Sequence, residues 1–258
     1  MSVLGDRLEQ LFASLDREER VAVLLSGGVD SAVVAACAFA ALGGRAVAVT
    51  LRSEFTSGCD AEWAARIAAH IGIAHLFGRV RLLDDPGILA HESDRCLRCK
   101  RILCAQARQL APDALLLDGT NADDDPARPG RRALREYHVR SPLEECGLGK
   151  HHVRELAENL GLPNANRPSN SCLATRLIAG RVIRREDLAR VARVEEVLRE
   201  EGFEDVRARL DDLKMILEIP FGSEPLLEKA HARIMQTIKG LGLTLAGYVY
   251  RASGENRT

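Results

Sequence analysis

The residues best suited to chemistry open the chain's first long apolar segment: Val21-Ala22-Val23-Leu24-Leu25-Ser26-Gly27-Gly28-Val29-Asp30-Ser31. An aliphatic run feeds adjacent glycines, a polar triplet and an alanine-rich stretch to Leu42, the pattern of strand, tight turn and helix. Gly27 and Gly28 lack a Cβ, so backbone N–H groups can approach an anion closely. Ser26 and Ser31 add hydroxyls, and the positive end of a helix starting near Val29 points at the same place. Asp30 belongs in an anion site if a divalent cation comes with the phosphates, because hard cations take oxygen ligands. An ordinary turn with Ser and Asp as helix caps is the plainer alternative. The string is neither G-x-G-x-x-G nor the G-x-x-x-x-G-K-S/T loop, since no lysine follows the glycines.

Sulfur supplies the second set of candidates. Cys96-Leu97-Arg98-Cys99 is a C-x-x-C, with no second such pair to complete a tetrahedral zinc site. A redox pair or buried thiols are its plain readings, and a third ligand must come from elsewhere. Cys104 falls on a helix that turns it away from Cys96. Cys172 is the candidate, in the polar stretch Pro168-Ser169-Asn170-Ser171-Cys172-Leu173-Ala174-Thr175-Arg176, where Arg176 favours a reactive thiolate. Three cysteinyl ligands leave one iron of a 4Fe-4S cube open to a non-protein sulfide. Alone, Cys172 would act as a nucleophile toward an activated acyl group. Cys37 reads as a core residue inside an apolar helix, while Cys59 and Cys146 stand isolated in sequence.

The run Asp118-Gly119-Thr120-Asn121-Ala122-Asp123-Asp124-Asp125 is dense in carboxylates at a strand end. It reads equally as Asx turns and as a contact for nucleotide or Mg²⁺. Arg207 and Arg209 alternate on a predicted strand and so share a face. Their guanidinium forks suit phosphate and carboxylate, or they line a solvated sheet edge.

The elements that must position these residues follow from periodicity. Leu4, Leu8, Leu11, Phe12 and Leu15 space as one helical face. Strands are predicted at 21–25, 45–51, 74–80 and 114–117, with helices at 60–71 and 97–110 between them and another at 149–160. This alternation means a parallel sheet wound on both faces, an α/β Rossmann-like fold whose ligands sit beyond the carboxyl ends of the strands. The loops after Leu25 and Leu117 both leave such ends and should face one crevice. Residues 164–180 are rich in Asn, Ser and Pro and read as loop and linker. Beyond them come a charged helix (184–201), strands at 206–210 and 215–219, a helix (225–241) and a strand (243–250). That is a small α+β unit, for which a split βαβ arrangement is expected. The predicted division is 1–165, a functional linker 166–183 carrying Cys172, and 184–258.

Composition narrows the class. The 258 residues carry a net charge of −1, which argues against a dominant nucleic-acid partner. No apolar run approaches the roughly 20 residues of a membrane span. Met1–Arg20 is charged and amphipathic, unlike a signal peptide, so a cytoplasmic protein is expected. Seven cysteines, an odd number, argue against a disulfide framework.

Ser26–Ser31 resembles the pyrophosphate loop of the PP-loop ATP pyrophosphatases, which cut ATP between the α and β phosphates. The wider set of strings resembles the LarE-type ATP-dependent sulfur transferases of nickel-pincer cofactor synthesis. That set comprises Arg95-Cys96-x-x-Cys99-Lys100, Asp118–Asp124, Arg128-Pro129-Gly130, Arg140-Ser141-Pro142-Leu143, Gly161-Leu162-Pro163, Cys172-Leu173-Ala174-Thr175-Arg176 and Gly202–Arg209. The resemblance implies ATP and Mg²⁺ as cofactors, with Ser26, Gly27, Gly28, Asp30, Ser31, Asp118, Asn121 and Arg128 at the nucleotide. Asp30 would hold Mg²⁺, and Cys172, Asp30 and Arg176 would be catalytic. Glu195, Arg207 and Arg209 would meet the substrate, a pyridinium biscarboxylate mononucleotide whose adenylated carboxylate becomes a thiocarboxylate. In some relatives a single cysteine surrenders its sulfur and becomes dehydroalanine. In others a 4Fe-4S cluster on three cysteines uses external sulfide from a donor, and Cys96, Cys99 and Cys172 match that pattern. A homo-oligomer is also implied.

Other readings keep the loop and change the rest. An amide-forming synthetase of the NAD or GMP synthetase type needs neither Cys172 nor the C-x-x-C. A tRNA-thiolating enzyme should show a stronger basic surface. A nucleotide- or metal-binding regulator without turnover has no use for the cation-holding Asp30.

Overall fold

The computed structural model describes residues 3–14 and 20–252. Leu15 lies outside the described residues and the side chain of Leu4 is not described, while Leu8 and Phe12 are buried as the helical face requires. The chain divides into two compact units. The first takes the chain up to Ser53 with Cys59–Leu82 and Asp94–Arg167; the second takes Glu54–Gly58, Leu83–Ser93 and the chain from Pro168 onward.

The first unit is an α/β layer structure. Strands β1 (Val21–Leu24), β2 (Ala46–Arg52), β3 (Ala74–Arg79) and β4 (Leu115–Leu117) form a parallel sheet in the order β3-β2-β1-β4. Successive residues of β1 serve opposite faces. Val21 and Val23 join a core with Ala32, Ala35 and Ala38 of helix α2 (Val29–Leu42) and Ile67 of α3 (Gly58–Ile71), beside α1 (Val3–Ser14). Ala22 faces the other way, with Val47, Val49, Ala107 and Leu116. Both faces being covered, β1 is continuously apolar instead of alternating, and each buried valine contributes about 1.5–3 kcal/mol.

The strand order places the site. The chain leaves β1 toward β2 on one side, then crosses back to lay β4 on the other. The switch point lies between the carboxyl ends of β1 and β4, the place where open parallel sheets take their ligands. After β3 the chain forms the short α4 (Pro86–Leu89), which belongs to the second unit, and returns to the first with α5 (Arg95–Leu110), which carries the C-x-x-C. Helices α6 (Gly130–Glu136), α7 (Pro142–Glu145) and α8 (Lys150–Asn159) follow β4. Periodicity does not announce α4, α6 or α7, because four to seven residues are too few to establish a period.

The second unit contains α9 (Arg185–Glu200), β5 (Arg207–Asp211), β6 (Lys214–Pro220), α10 (Glu224–Gly240) and β7 (Thr244–Arg251). Strands β5 and β6 form an antiparallel hairpin, and α10 crosses over to lay β7 parallel to β6. Because β6 and β7 are direct neighbours, the βαβ unit is not split as expected. The stretch after Pro168 is part of this unit's body. Leu173 N donates to Phe55 O (3.0 Å), Gly180 N to His91 O (3.1 Å) and Ile183 N to Leu89 O (2.8 Å). Among the described residues no helix is long and apolar enough to cross a membrane.

Candidate active site

Each predicted residue of the glycine loop is held by its neighbours. Gly27 has φ +86°, a left-handed conformation natural to glycine, and a Cβ there would sit 2.3 Å from the Asp60 carbonyl oxygen. The Gly27 carbonyl accepts from Arg167 Nη1 (2.9 Å) and Asn164 Nδ2 (3.3 Å). The C=O and N–H of a trans peptide point opposite ways, so this anchoring aims the Gly28 N–H to the other side, onto Ser26 Oγ at 3.3 Å. Ser31 Oγ donates to Gly28 O (3.1 Å) and accepts from Ser26 N (3.2 Å). Its remaining lone pair receives Ser26 Oγ–H at 3.1 Å. The two serines are thus fixed at the start of α2, where first-turn N–H groups lack intrahelical partners and favour an anion.

The β4 loop closes on the same place. A Cβ on Gly119 would lie 2.6 Å from Ser31 N, so only glycine lets this loop approach the start of α2 so closely. Asp118, almost fully buried, accepts from Thr120 N (3.1 Å), Thr120 Oγ1 (2.7 Å) and Ser141 Oγ (2.8 Å), with Lys100 Nζ at 3.7 Å. Its carboxylate therefore shapes the turn. Asn121 reaches across: its Oδ1 accepts from Asp123 N (2.9 Å) while its Nδ2 donates to Asp30 Oδ1 at 3.1 Å. The other Asp30 oxygen receives Lys150 Nζ at 2.5 Å. Arg128, exposed, pairs with Asp124 at 3.3 Å. Asp30 is thus a half-exposed carboxylate among hydroxyls, already engaged by one cation. That donor chemistry fits a hard ion such as Mg²⁺, which would draw its other ligands from phosphate and water.

Sequence reasoning missed Lys150, Asn164 and Arg167. Arg167 also pairs with Asp60 (2.5 Å), tying the loop to α3. Asn164 and Arg167 lie in a stretch without periodicity and meet Gly27 only through tertiary folding. Lys150 did carry a signal, a lysine at the first position of a helix, where the dipole opposes its charge.

Cys59 is half-buried, with Arg167 Nη2 donating to its Sγ at 3.6 Å, and the other thiols fall into two groups. Burial pushes the Cys37 thiol up to about 12 and raises that of Cys104, which makes both inert. Cys146 is also buried. Cys96 is exposed and Cys99 half-buried, three residues apart on α5 and so on one side of that helix. Arg95 Nη2 donates to Cys96 Sγ at 3.4 Å. Cys172, in the second unit, is exposed. Among the described residues no three His, Cys, Asp or Glu side chains are gathered as ligands for a metal ion.

Within the second unit, Arg176 and Glu195 form a fully buried ion pair at 2.7 Å. Arg176 also donates to Ser171 Oγ (2.5 Å), Thr175 Oγ1 (2.9 Å) and Asn170 Oδ1 (2.8 Å), gripping both flanks of Cys172. Glu195 accepts in addition from Arg199 (2.7 Å) and from Ala208 N of β5 (3.2 Å). Arg209 pairs with Glu218 and donates to Thr175 O at 3.1 Å. Arg207 is buried 4.0 Å from Glu218. Burial, then the neighbouring Arg251 and Arg176, lowers its pKa, the mark of a crowded cationic cluster. Arg176 and Glu195 thus meet as framework, joining the Cys172 loop to the strand that bears Arg207 and Arg209.

Comparison with known proteins agrees with this geometry. Residues 4–85 match the asparagine synthase family. An uncharacterised protein of Synechocystis sp. is 37% identical over 219 residues, 83% of this chain and 81% of its own length. The pyridinium-3,5-bisthiocarboxylic acid mononucleotide synthase of Lactiplantibacillus plantarum is 30% identical over 225 residues, 85% of this chain and 82% of its own. An uncharacterised protein of Methanocaldococcus jannaschii is 27% identical over 190 residues, 71% of each chain.

Proposed function

The chain belongs to the LarE family of the PP-loop superfamily, and from that premise we propose that it is an ATP-dependent sulfur transferase acting in nickel-pincer cofactor synthesis. Its substrate is a pyridinium biscarboxylate mononucleotide. A substrate carboxylate oxygen attacks the α-phosphorus of ATP, the bond to the bridging oxygen breaks, and pyrophosphate leaves. A sulfur nucleophile then attacks the acyl carbon, and AMP departs as the thiocarboxylate forms. The observation that carries the adenylation step is the glycine-set loop with Asp30 held between Asn121 and Lys150.

The chain's own residues have separate tasks in this reading. The start of α2 with Ser26 and Ser31 binds phosphate, and Asp30 holds Mg²⁺. Arg207 and Arg209 hold the anionic substrate, while Arg176 and Glu195 fix the Cys172 loop. Cys96, Cys99 and Cys172 would hold a 4Fe-4S cluster, whose unligated iron supplies a site for sulfide from an external donor. These three thiols are at least partly open, as cluster ligands need to be; Cys59 is equally open but lies beside Arg167 and outside the C-x-x-C. The protein works as a cytoplasmic homo-oligomer.

A second reading makes Cys172 itself the sulfur source, its Cβ–S bond breaking by elimination to leave dehydroalanine. It is favoured by the absence of a gathered three-ligand set among the described residues. Anaerobic purification separates the two. Iron and acid-labile sulfide that disappear in Cys99→Ser support the cluster. Colourless reconstituted protein that loses the elements of H₂S at Cys172 after one turnover supports sacrifice. In either case Asp30→Ala should abolish conversion of ATP to AMP and pyrophosphate, and undiminished AMP release would overturn the adenylation site.

A further inference from the structure

We propose that the edge strand β3 carries a second nucleotide site, separate from the glycine loop. It takes the ring of a mononucleotide on Phe77 and its phosphate monoester on Arg52, Arg79 and Arg81.

Strands β2 and β3 run parallel with Thr50 opposite Phe77 and Arg52 opposite Arg79. Alternate residues of a strand share a face, so Phe77 and Arg79 project to one side of β3, roughly 6.6 Å apart along it. Arg52 joins them from the neighbouring strand, about 4.8 Å away. The ladder runs one bond past β3, with Val80 N donating to Arg52 O at 2.9 Å, and brings Arg81 to the same end. All three arginines are exposed. Among the described residues none of the three has a side-chain partner, whereas Arg101, Arg128, Arg132 and Arg140 of the same unit each hold a carboxylate. Like charges directly opposite one another weaken a sheet. Charge on an edge strand guards it against pairing with another chain, which accounts for Arg79. It does not account for Arg52, because β2 is bonded on both sides and has no edge to guard. Adjacent unpaired guanidiniums at the carboxyl end of a parallel sheet suit a phosphate dianion, each fork offering parallel N–H donors.

Phe77 supplies the other half of the site. At 51% it is the most exposed large apolar side chain described in the first unit. One flank of its ring rests on His75, with centroids 4.0 Å apart, and His75 is itself bonded to Thr50 at 2.7 Å. An aromatic ring held on one flank and open on the other stacks a flat heterocycle. A ring and a phosphate joined through one sugar span the step from Phe77 to Arg79. ATP seated in the glycine loop does not fill this place. Strand β1 lies two strands away from β3, about 10 Å, and the ring end of ATP bears no phosphate. The occupant is a second molecule, a mononucleotide with either a pyridinium or a purine ring.

Calorimetry on the full chain tests the site with three probes: inorganic phosphate, nicotinic acid mononucleotide and GMP. The double variant Arg52→Gln/Arg79→Gln should bind all three at least about tenfold more weakly, as expected for lost charge-assisted contacts. Phe77→Ala should weaken the two nucleotides about fivefold and leave inorganic phosphate unchanged. The tighter of the two nucleotides identifies the ring. Without ligand the double variant should melt no lower than the parent, because the opposed charges are gone, so its lost binding is not lost folding. Its affinity for ATP should stay within about twofold of the parent's, which separates this site from the glycine loop. A parent that binds none of the probes at millimolar concentration, or a double variant that binds them as the parent does, would overturn the proposal. Nucleotides that bind no more tightly than phosphate and ignore Phe77→Ala would overturn the assignment of the ring.

Discussion

The two units hold their functional residues by opposite means. In the first, backbone geometry sets the site: Gly27 with its left-handed φ, Gly119 against the start of α2, Gly149 against Asp123. Its key ion pair, Asp30 with Lys150, is partly open to water. In the second, charge itself is the framework. Arg176 and Glu195 are wholly buried and together take hold of Asn170, Ser171, Thr175, Arg199 and the backbone of β5. The difference follows from what each site must do. In the proposed reading the first site exchanges partners as nucleotide and metal come and go, and a partly exposed pair yields more readily than a buried one. A loop presenting a thiol has to stay in place, and a buried guanidinium with four of its five donors directed does that.

The contrast can be broken experimentally, beginning where the effect is largest. Glu195→Gln should destabilise the second unit by about 3–5 kcal/mol, because Arg176 and Arg199 lose their buried counter-charge. Urea unfolding followed with a Cys172 alkylation assay would show it, and a loss under 1 kcal/mol would mean that the pair is not structural. Next, Gly27→Ala should cost about 2 kcal/mol and weaken ATP binding, since the new Cβ meets the Asp60 carbonyl in a left-handed residue. Unchanged affinity would show that the loop tolerates another backbone path. By contrast, Lys150→Met should change stability by less than about 1 kcal/mol. A larger loss would place that pair with the structural ones.

The smallest effect separates the units by pH. Thr50 Oγ1 donates to Leu25 O (2.7 Å), so His75 Nε2, 2.7 Å away, is the donor to Thr50. Burial lowers the His75 pKa, so the folded first unit keeps the ring neutral. As pH falls below the unfolded value of about 6.5, the unfolded chain takes up a proton first and stability declines until the folded ring titrates. His75→Gln should flatten that decline in acid unfolding curves. An unaltered curve would show that the ring contributes nothing to it.

The sequence exposes what is local. Ser26–Ser31 is recognisable because strand, turn and helix follow one another within a dozen residues, each with its own signal. Alternation of strands and helices likewise leads to the parallel sheet, and two arginines a strand period apart lead to one face of β5. Long-range contacts stay hidden. Nothing near Arg167 or Asn164 foretells that both meet the Gly27 carbonyl. Arg176 beside Cys172 suggests a catalytic cation, yet its donors turn inward to Glu195 and the loop. Asp118 looks like one more ligand in an acidic run, and only the folded turn shows its oxygens taken by Thr120 and Ser141.

Leu173, Gly180 and Ile183 find their backbone acceptors in Phe55, His91 and Leu89. The half of the molecule that bears Cys172 is therefore written in three separated passages of the gene. During synthesis the two early passages emerge long before Pro168 and must wait for it. A polypeptide started at Pro168 would keep the thiol and both strand arginines but arrive without the edges that tie its loop down. No single cut in the chain would part the two units.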